Sequence, residues 1–113
     1  MPDMPFAASA ATVLTIAFSA SGGVAAQHWT LRCHPTGGTL PRAAAACAKL
    51  DLQPAPFAPT SPGTACTDIY GGPQTARVTG LFRGRSVWAV FARKNGCEIA
   101  RWNRVRFLFP GSP

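Results

Sequence analysis

Carboxylates are scarce in this sequence. Asp3, Asp51, Asp68 and Glu98 stand against 11 lysines and arginines, for a formal net charge of +7. Histidine is scarcer still, with only His28 and His34. Neither accompanies a nucleophile motif such as Gly-x-Ser-x-Gly, which argues against an enzyme. No Cys-x-x-Cys pair or zinc-finger spacing is present, so Cys33 and Cys47 near those histidines do not read as a metal site, and no cofactor is expected. The chain shows no internal repeat. Its long uncharged apolar run, Phe6 to Ala20, is too short for a comfortable membrane span, so no stable membrane insertion is expected.

The residues after that run suggest its role. Ser21-Gly22-Gly23-Val24-Ala25-Ala26 predicts an export h-region ending in a small-residue cleavage site, with Val24 and Ala26 at the two recognised positions. The preceding Met1-Pro2-Asp3-Met4-Pro5 has no Lys or Arg, and a buried Ala-rich helix is the alternative reading. The expectation is a cleaved signal peptide over 1–26 and a single secreted, extracellular domain over 27–113, beginning at Gln27. Every basic residue lies beyond Ala26, so the processed chain is strongly cationic. Such a charge invites anionic envelope polymers or an acidic partner, while export removes the chain from most nucleic acid. Four cysteines in a small exported chain read as two disulfides with three possible connectivities.

Periodicity then sketches the domain. His28 to Cys33 alternates, with Trp29, Leu31 and Cys33 on one side, and predicts a half-buried strand. After turn chemistry at His34-Pro35-Thr36-Gly37-Gly38, Thr39 is placed to cap a helix from about Pro41 to Leu50. Pro54, Pro56, Pro59 and Pro62 exclude regular structure over 52–63 and suggest an ordered connector. Thr75–Phe82 and Arg85–Arg93, with Arg83-Gly84 between them, predict a hairpin. One or two helical turns are expected over Cys97–Trp102. Arg104–Phe109 alternates, with Val105, Phe107 and Phe109 on one face, and reads as a last strand. The predicted class is α+β, an antiparallel sheet packed against one or two short helices. Arg77, Arg83, Arg85, Arg93, Lys94, Arg101, Arg104 and Arg106, near Trp88 and Trp102, are candidates for a polyanion surface or a solvated face.

Several stretches together carry a resemblance. They are Trp29-Thr30-Leu31-Arg32-Cys33, Ala45-Ala46-Cys47-Ala48-Lys49-Leu50, Cys66-Thr67-Asp68-Ile69-Tyr70, Val78-Thr79-Gly80-Leu81-Phe82-Arg83-Gly84-Arg85 and Asn95-Gly96-Cys97-Glu98. In this order they resemble the Streptomyces subtilisin inhibitor family of secreted serine-protease inhibitors, over roughly Trp29 to Phe109. The resemblance implies the family's α+β sandwich, disulfides Cys33–Cys47 and Cys66–Cys97, an extracellular serine protease as partner, and a homodimer formed by sheet packing.

It also implies a reactive loop of Cys66, Thr67, Asp68, Ile69 and Tyr70, with the scissile bond between Asp68 and Ile69. Cys97 would complete the clamp, and Asn95 would brace the loop through its amide, a role compatible with a turn residue in Asn-Gly. A loop already held in its bound shape loses little entropy on docking. Two positions depart from the family pattern. Where members commonly carry Met, Lys or Arg, this chain has Asp68, whose carboxylate disfavours trypsin-type pockets, weakens subtilisin binding and admits acid-specific serine proteases. Tyr70-Gly71-Gly72-Pro73 is one residue longer than the usual stretch, and its glycines predict a less rigid leaving side. The alternative is a cationic extracellular binding or structural protein of the same fold that has lost inhibition.

Overall fold

The computed structural model describes residues 11–113. Four strands, β1 (Thr12–Ser19), β2 (Gln27–Cys33), β3 (Thr75–Phe82) and β4 (Arg85–Ala92), form one antiparallel sheet in the order β2-β1-β3-β4. Helices α1 (Ala43–Asp51) and α2 (Gly96–Arg104) and a 3₁₀ turn over Arg106–Leu108 are the other elements among the described residues. The α+β class expected from the sequence is the class observed.

The expected domain boundary at Ala26 requires correction. Thr12–Ser19 is a central strand, hydrogen-bonded to β2 along one edge and to β3 along the other. Leu14 and Ile16 are fully buried and Phe18 nearly so, while Val13 and Thr15 face out, the period-2 pattern of a strand. Ser21 to Ala26 forms the connection between β1 and β2, with Ala26 N–H donating to the Phe18 carbonyl at 3.1 Å. An uncharged apolar run serves a central strand as well as an export segment, so composition does not separate them. Residues 1–10, the rest of the expected leader, lie outside the described residues.

The inner face of the sheet contributes Leu14, Ile16, Phe18, Leu31, Val78 and Phe91 to the core. Leu40, Ala46 and Leu50 cover it from the α1 side and Trp102, Val105, Leu108 and Phe109 from the C-terminal side. Trp102 packs tilted on Phe109 at 4.8 Å between ring centroids and edge-on to Phe18 at 6.2 Å. The predicted strand over Arg104–Phe109 is instead the end of α2 and the 3₁₀ turn. Burial falls on Val105, Leu108 and Phe109, an i, i+3, i+4 spacing, with Phe107 only half-buried. A six-residue apolar run fits both periods, and packing against Trp102 selects the helical one.

Thr39 also takes another role than the expected cap. Its hydroxyl accepts from Thr30 N–H at 2.9 Å, and its N–H donates to the Thr30 carbonyl at 2.9 Å. Helix α1 begins after Arg42, which sits at positive φ without a side-chain cap. Cys33 is bonded to Cys47, tying β2 to α1, and Cys66 to Cys97 across a sequence separation of 31. The hairpin turn is at Arg83-Gly84, both with positive φ, which suits the right-handed twist of β3 and β4.

The proline-rich connector is ordered, as expected. Arg101 donates from Nε to the Ala58 carbonyl and from Nη1 to the Val90 carbonyl, each at 3.0 Å, joining connector, sheet and α2. Arg83 donates to the Gln53 and Leu50 carbonyls, both at 3.0 Å, at the connector's start. These contacts fix where the connector ends and the next exposed segment begins.

Candidate functional site

Ser61 to Tyr70 leads from the connector toward β3 and is exposed throughout, except at half-buried Cys66. Ile69 and Tyr70 are 60% and 67% exposed, unusual for large apolar side chains with a core this close. Among the described residues, Asp68, Ile69 and Tyr70 make no backbone hydrogen bond, so their peptide groups remain available to a partner. Such a segment is ordered only if its ends are fixed.

Both ends are fixed, and by one short stretch, Arg93 to Cys97, that runs from the end of β4 into the first turn of α2. On the amino side, Cys66 is bonded to Cys97 with Cα atoms 5.3 Å apart, and Gly96 N–H donates to the Thr67 carbonyl at 3.0 Å. On the carboxyl side, Gly71 N–H donates to the Arg93 carbonyl at 2.7 Å, and Arg93 Nε donates to the Gly71 carbonyl at 3.0 Å. The Arg93 guanidinium lies 5.6 Å from the centroid of the Trp102 ring, linking the loop to the core. Asp68, Ile69 and Tyr70 therefore span the gap between two anchored residues, Thr67 and Gly71.

Close approach explains the residue types. A Cβ at Gly96 would collide with Thr67 Oγ1, and one at Gly71 would come within 2.9 Å of Ile99 Cδ1. Glycine lets the loop lie directly on its support. The leaving side is thus held by two hydrogen bonds at Gly71, contrary to the looseness that its paired glycines suggested.

The structure brings Cys66, Thr67, Asn95 and Cys97 together, but Asn95 acts on the helix. Its Oδ1 accepts from Glu98 N–H at 3.0 Å, capping α2, whose first turn carries the clamp cysteine. Asn95 thereby orients the support, while the hydrogen bonds to the loop come from Gly96 and Arg93. Sequence reasoning missed these two and Gly71. Gly96 stands directly beside Cys97, a usable signal for close approach; Arg93 was indistinguishable from the surface cations around it. Of the eight basic candidates for a polyanion surface, Arg83, Arg93 and Arg101 are engaged in intramolecular hydrogen bonds. A peptide left exposed between two fixed points has the geometry of a segment offered to a peptide-binding cleft.

Comparison with known proteins gives two results. A family model described as subtilisin inhibitor-like matches residues 8–95. Among solved structures, Streptomyces caespitosus sermetstatin in complex with Bacillus licheniformis subtilisin is similar to this chain with a TM-score of 0.54 and 22% sequence identity, covering 88% of this chain and 96% of that one. At that identity the likeness is one of fold. No curated protein matches the sequence. The match from residue 8 includes β1, in agreement with its place in the sheet.

Proposed function

Because the chain belongs to the subtilisin inhibitor-like family, it is a serine-protease inhibitor and not an enzyme, and we propose that it engages its target as a substrate would, through Cys66–Tyr70, with the scissile bond between Asp68 and Ile69. The observation that carries this reading is the double anchoring of the loop, at Thr67 by Gly96 and at Gly71 by Arg93, around three exposed residues without backbone partners. A loop fixed in this way loses little conformational entropy on docking. Should the Asp68–Ile69 bond be cut, the disulfide and Gly96 retain the new carboxyl end while Arg93 retains the amino end. The cut bond can then be remade, and product release is slow.

The sermetstatin neighbour is in complex with a subtilisin, and a protease of that class is the natural first partner to test. Purified protein assayed against active-site-counted subtilisin should inhibit it, less tightly than Asp68→Met does because the Asp68 carboxylate is desolvated in an apolar pocket. Prolonged incubation should yield a single new amino terminus at Ile69, with both fragments still joined by Cys66–Cys97. Rapid digestion at scattered sites without inhibition would refute the assignment of the loop.

Two further features belong to the same proposal. Export to an oxidising compartment follows from the two disulfides in so small a domain, and since β1 belongs to the fold, any leader is removed upstream of Thr12. Among the described residues, no helix is long and apolar enough to cross a membrane. The outer face of the sheet carries Val13 beside Leu81 in the β1–β3 register, with Trp88 and Val90 on the same face of β4. Trp88 is 71% exposed, and we assign this face to the homodimer contact, which covers it sheet on sheet.

A further inference from the structure

The loop carries a charge that nothing among the described residues answers. Asp51 Oδ1 lies 3.1 Å from His34 Nε2. Glu98 accepts from Arg101 Nη1 at 2.9 Å and from Thr60 Oγ1 at 3.2 Å. Asp68 is exposed and, among the described residues, makes neither a hydrogen bond nor an ion pair; the fourth carboxylate, Asp3, lies outside them. In a chain with a net charge of +7, cations for a carboxylate are plentiful, yet this one stands at the tip of the anchored loop with no cation drawn to it.

We propose that Asp68 is a specificity determinant, and that the target is a serine endopeptidase with a cationic primary pocket, one that cleaves after Asp or Glu. The inference rests on the substrate-like reading of the loop given above. Docking in that mode strips water from the Asp68 side chain. In an apolar pocket the carboxylate loses its hydration without compensation, and in a pocket floored by a carboxylate it meets like charge as well. In a pocket lined by Arg, Lys or protonated His, it forms charge-assisted hydrogen bonds that no residue of the inhibitor competes for. Because the carboxylate has no partner among the described residues, no ion pair with them must be broken first.

The test compares wild type, Asp68→Asn and Asp68→Met against two enzymes, a bacterial glutamate-specific serine endopeptidase and subtilisin. Asp68 is exposed and has no hydrogen bond or ion pair among the described residues to lose, so both variants should retain the fold, which thermal melts verify. The expected result is that wild type binds the glutamate-specific enzyme ten- to a hundred-fold more tightly than Asp68→Asn does, while Asp68→Met reverses the preference and binds subtilisin more tightly than wild type. Equal inhibition of the glutamate-specific enzyme by wild type and Asp68→Asn, or none by either, overturns the specificity. In that case strong inhibition of subtilisin by Asp68→Met leaves the loop assignment standing. If no variant inhibits either enzyme, the loop assignment falls, and the specificity falls with it.

Discussion

Arg93 holds Gly71 by both of that residue's backbone polar groups, accepting from its N–H at 2.7 Å and donating to its carbonyl at 3.0 Å. Only the second bond depends on the side chain. Arg93→Ala therefore removes one charge-assisted hydrogen bond and the contact with Trp102 but leaves the other anchor in place. A hydrogen bond of that kind contributes about 1.5 to 3 kcal/mol. The inhibition constant for subtilisin should rise by roughly ten- to a hundred-fold, and cleavage at Asp68–Ile69 should quicken. Arg93→Lys should recover little, because an ammonium on a flexible stem does not reproduce the planar donor at Nε. Inhibition constants and the cleavage rate by mass spectrometry check both outcomes.

The two disulfides should separate cleanly by function. In the chain-entropy model each contributes about 3 to 4 kcal/mol by restricting the unfolded chain, so paired Cys→Ser replacements at either site should lower stability in denaturant titration by similar amounts. The consequences for inhibition differ. Replacing Cys66 and Cys97 frees the amino end of the loop and should convert the inhibitor into a substrate cut at Asp68–Ile69. Replacing Cys33 and Cys47 loosens β2 from α1, remote from the loop, and the folded fraction should inhibit as before.

Gly96 and Thr67 should behave as a coupled pair. A Cβ at Gly96 would collide with Thr67 Oγ1, so Gly96→Ala should cost on the order of 1 to 3 kcal/mol, the range for overpacking a tight contact. Thr67→Ala removes the obstructing hydroxyl and should restore much of that loss in the double variant. A double-mutant cycle on thermal stability measures the coupling, expected at about 0.5 to 3 kcal/mol. Strictly additive effects would mean that loop and support do not touch as described.

The sequence made some of this architecture legible and concealed the rest for identifiable physical reasons. The β3–β4 hairpin was readable because Arg83-Gly84 is a turn between two β-branched, aromatic-rich runs, and positive φ at both residues confirms it. The exposed segment tied by Cys66–Cys97 was readable through the ordered set of motifs that carry the resemblance. Its anchors were not. Arg93 is one arginine among many until the fold lays it across Gly71, and the capping role of Asn95 depends on α2 starting at the next residue. The strand expected at Arg104–Phe109 failed because a short apolar run admits both helical and extended periods. The stretch expected as a leader includes β1 for a related reason, since a strand between two neighbours is apolar enough to pass for an export segment.

Strand β1 offers the sharpest test of the fold. Leu14, Ile16 and Phe18 are buried, the first two completely. At ~1.5 to 3 kcal/mol for each side chain, their loss forfeits roughly 5 to 9 kcal/mol, comparable to the whole stability of a domain of this size. Removing β1 also strips the hydrogen-bond partners from one edge of β2 and one edge of β3, leaving the sheet divided. A chain beginning at Gln27 should therefore lack a cooperative thermal transition, aggregate through its exposed edges and fail to inhibit. The full chain, by contrast, should melt cooperatively, and the protein recovered from a culture medium should retain Thr12 at or after its amino terminus. A folded, inhibitory protein beginning at Gln27 would overturn the position of β1 and restore the leader boundary at Ala26.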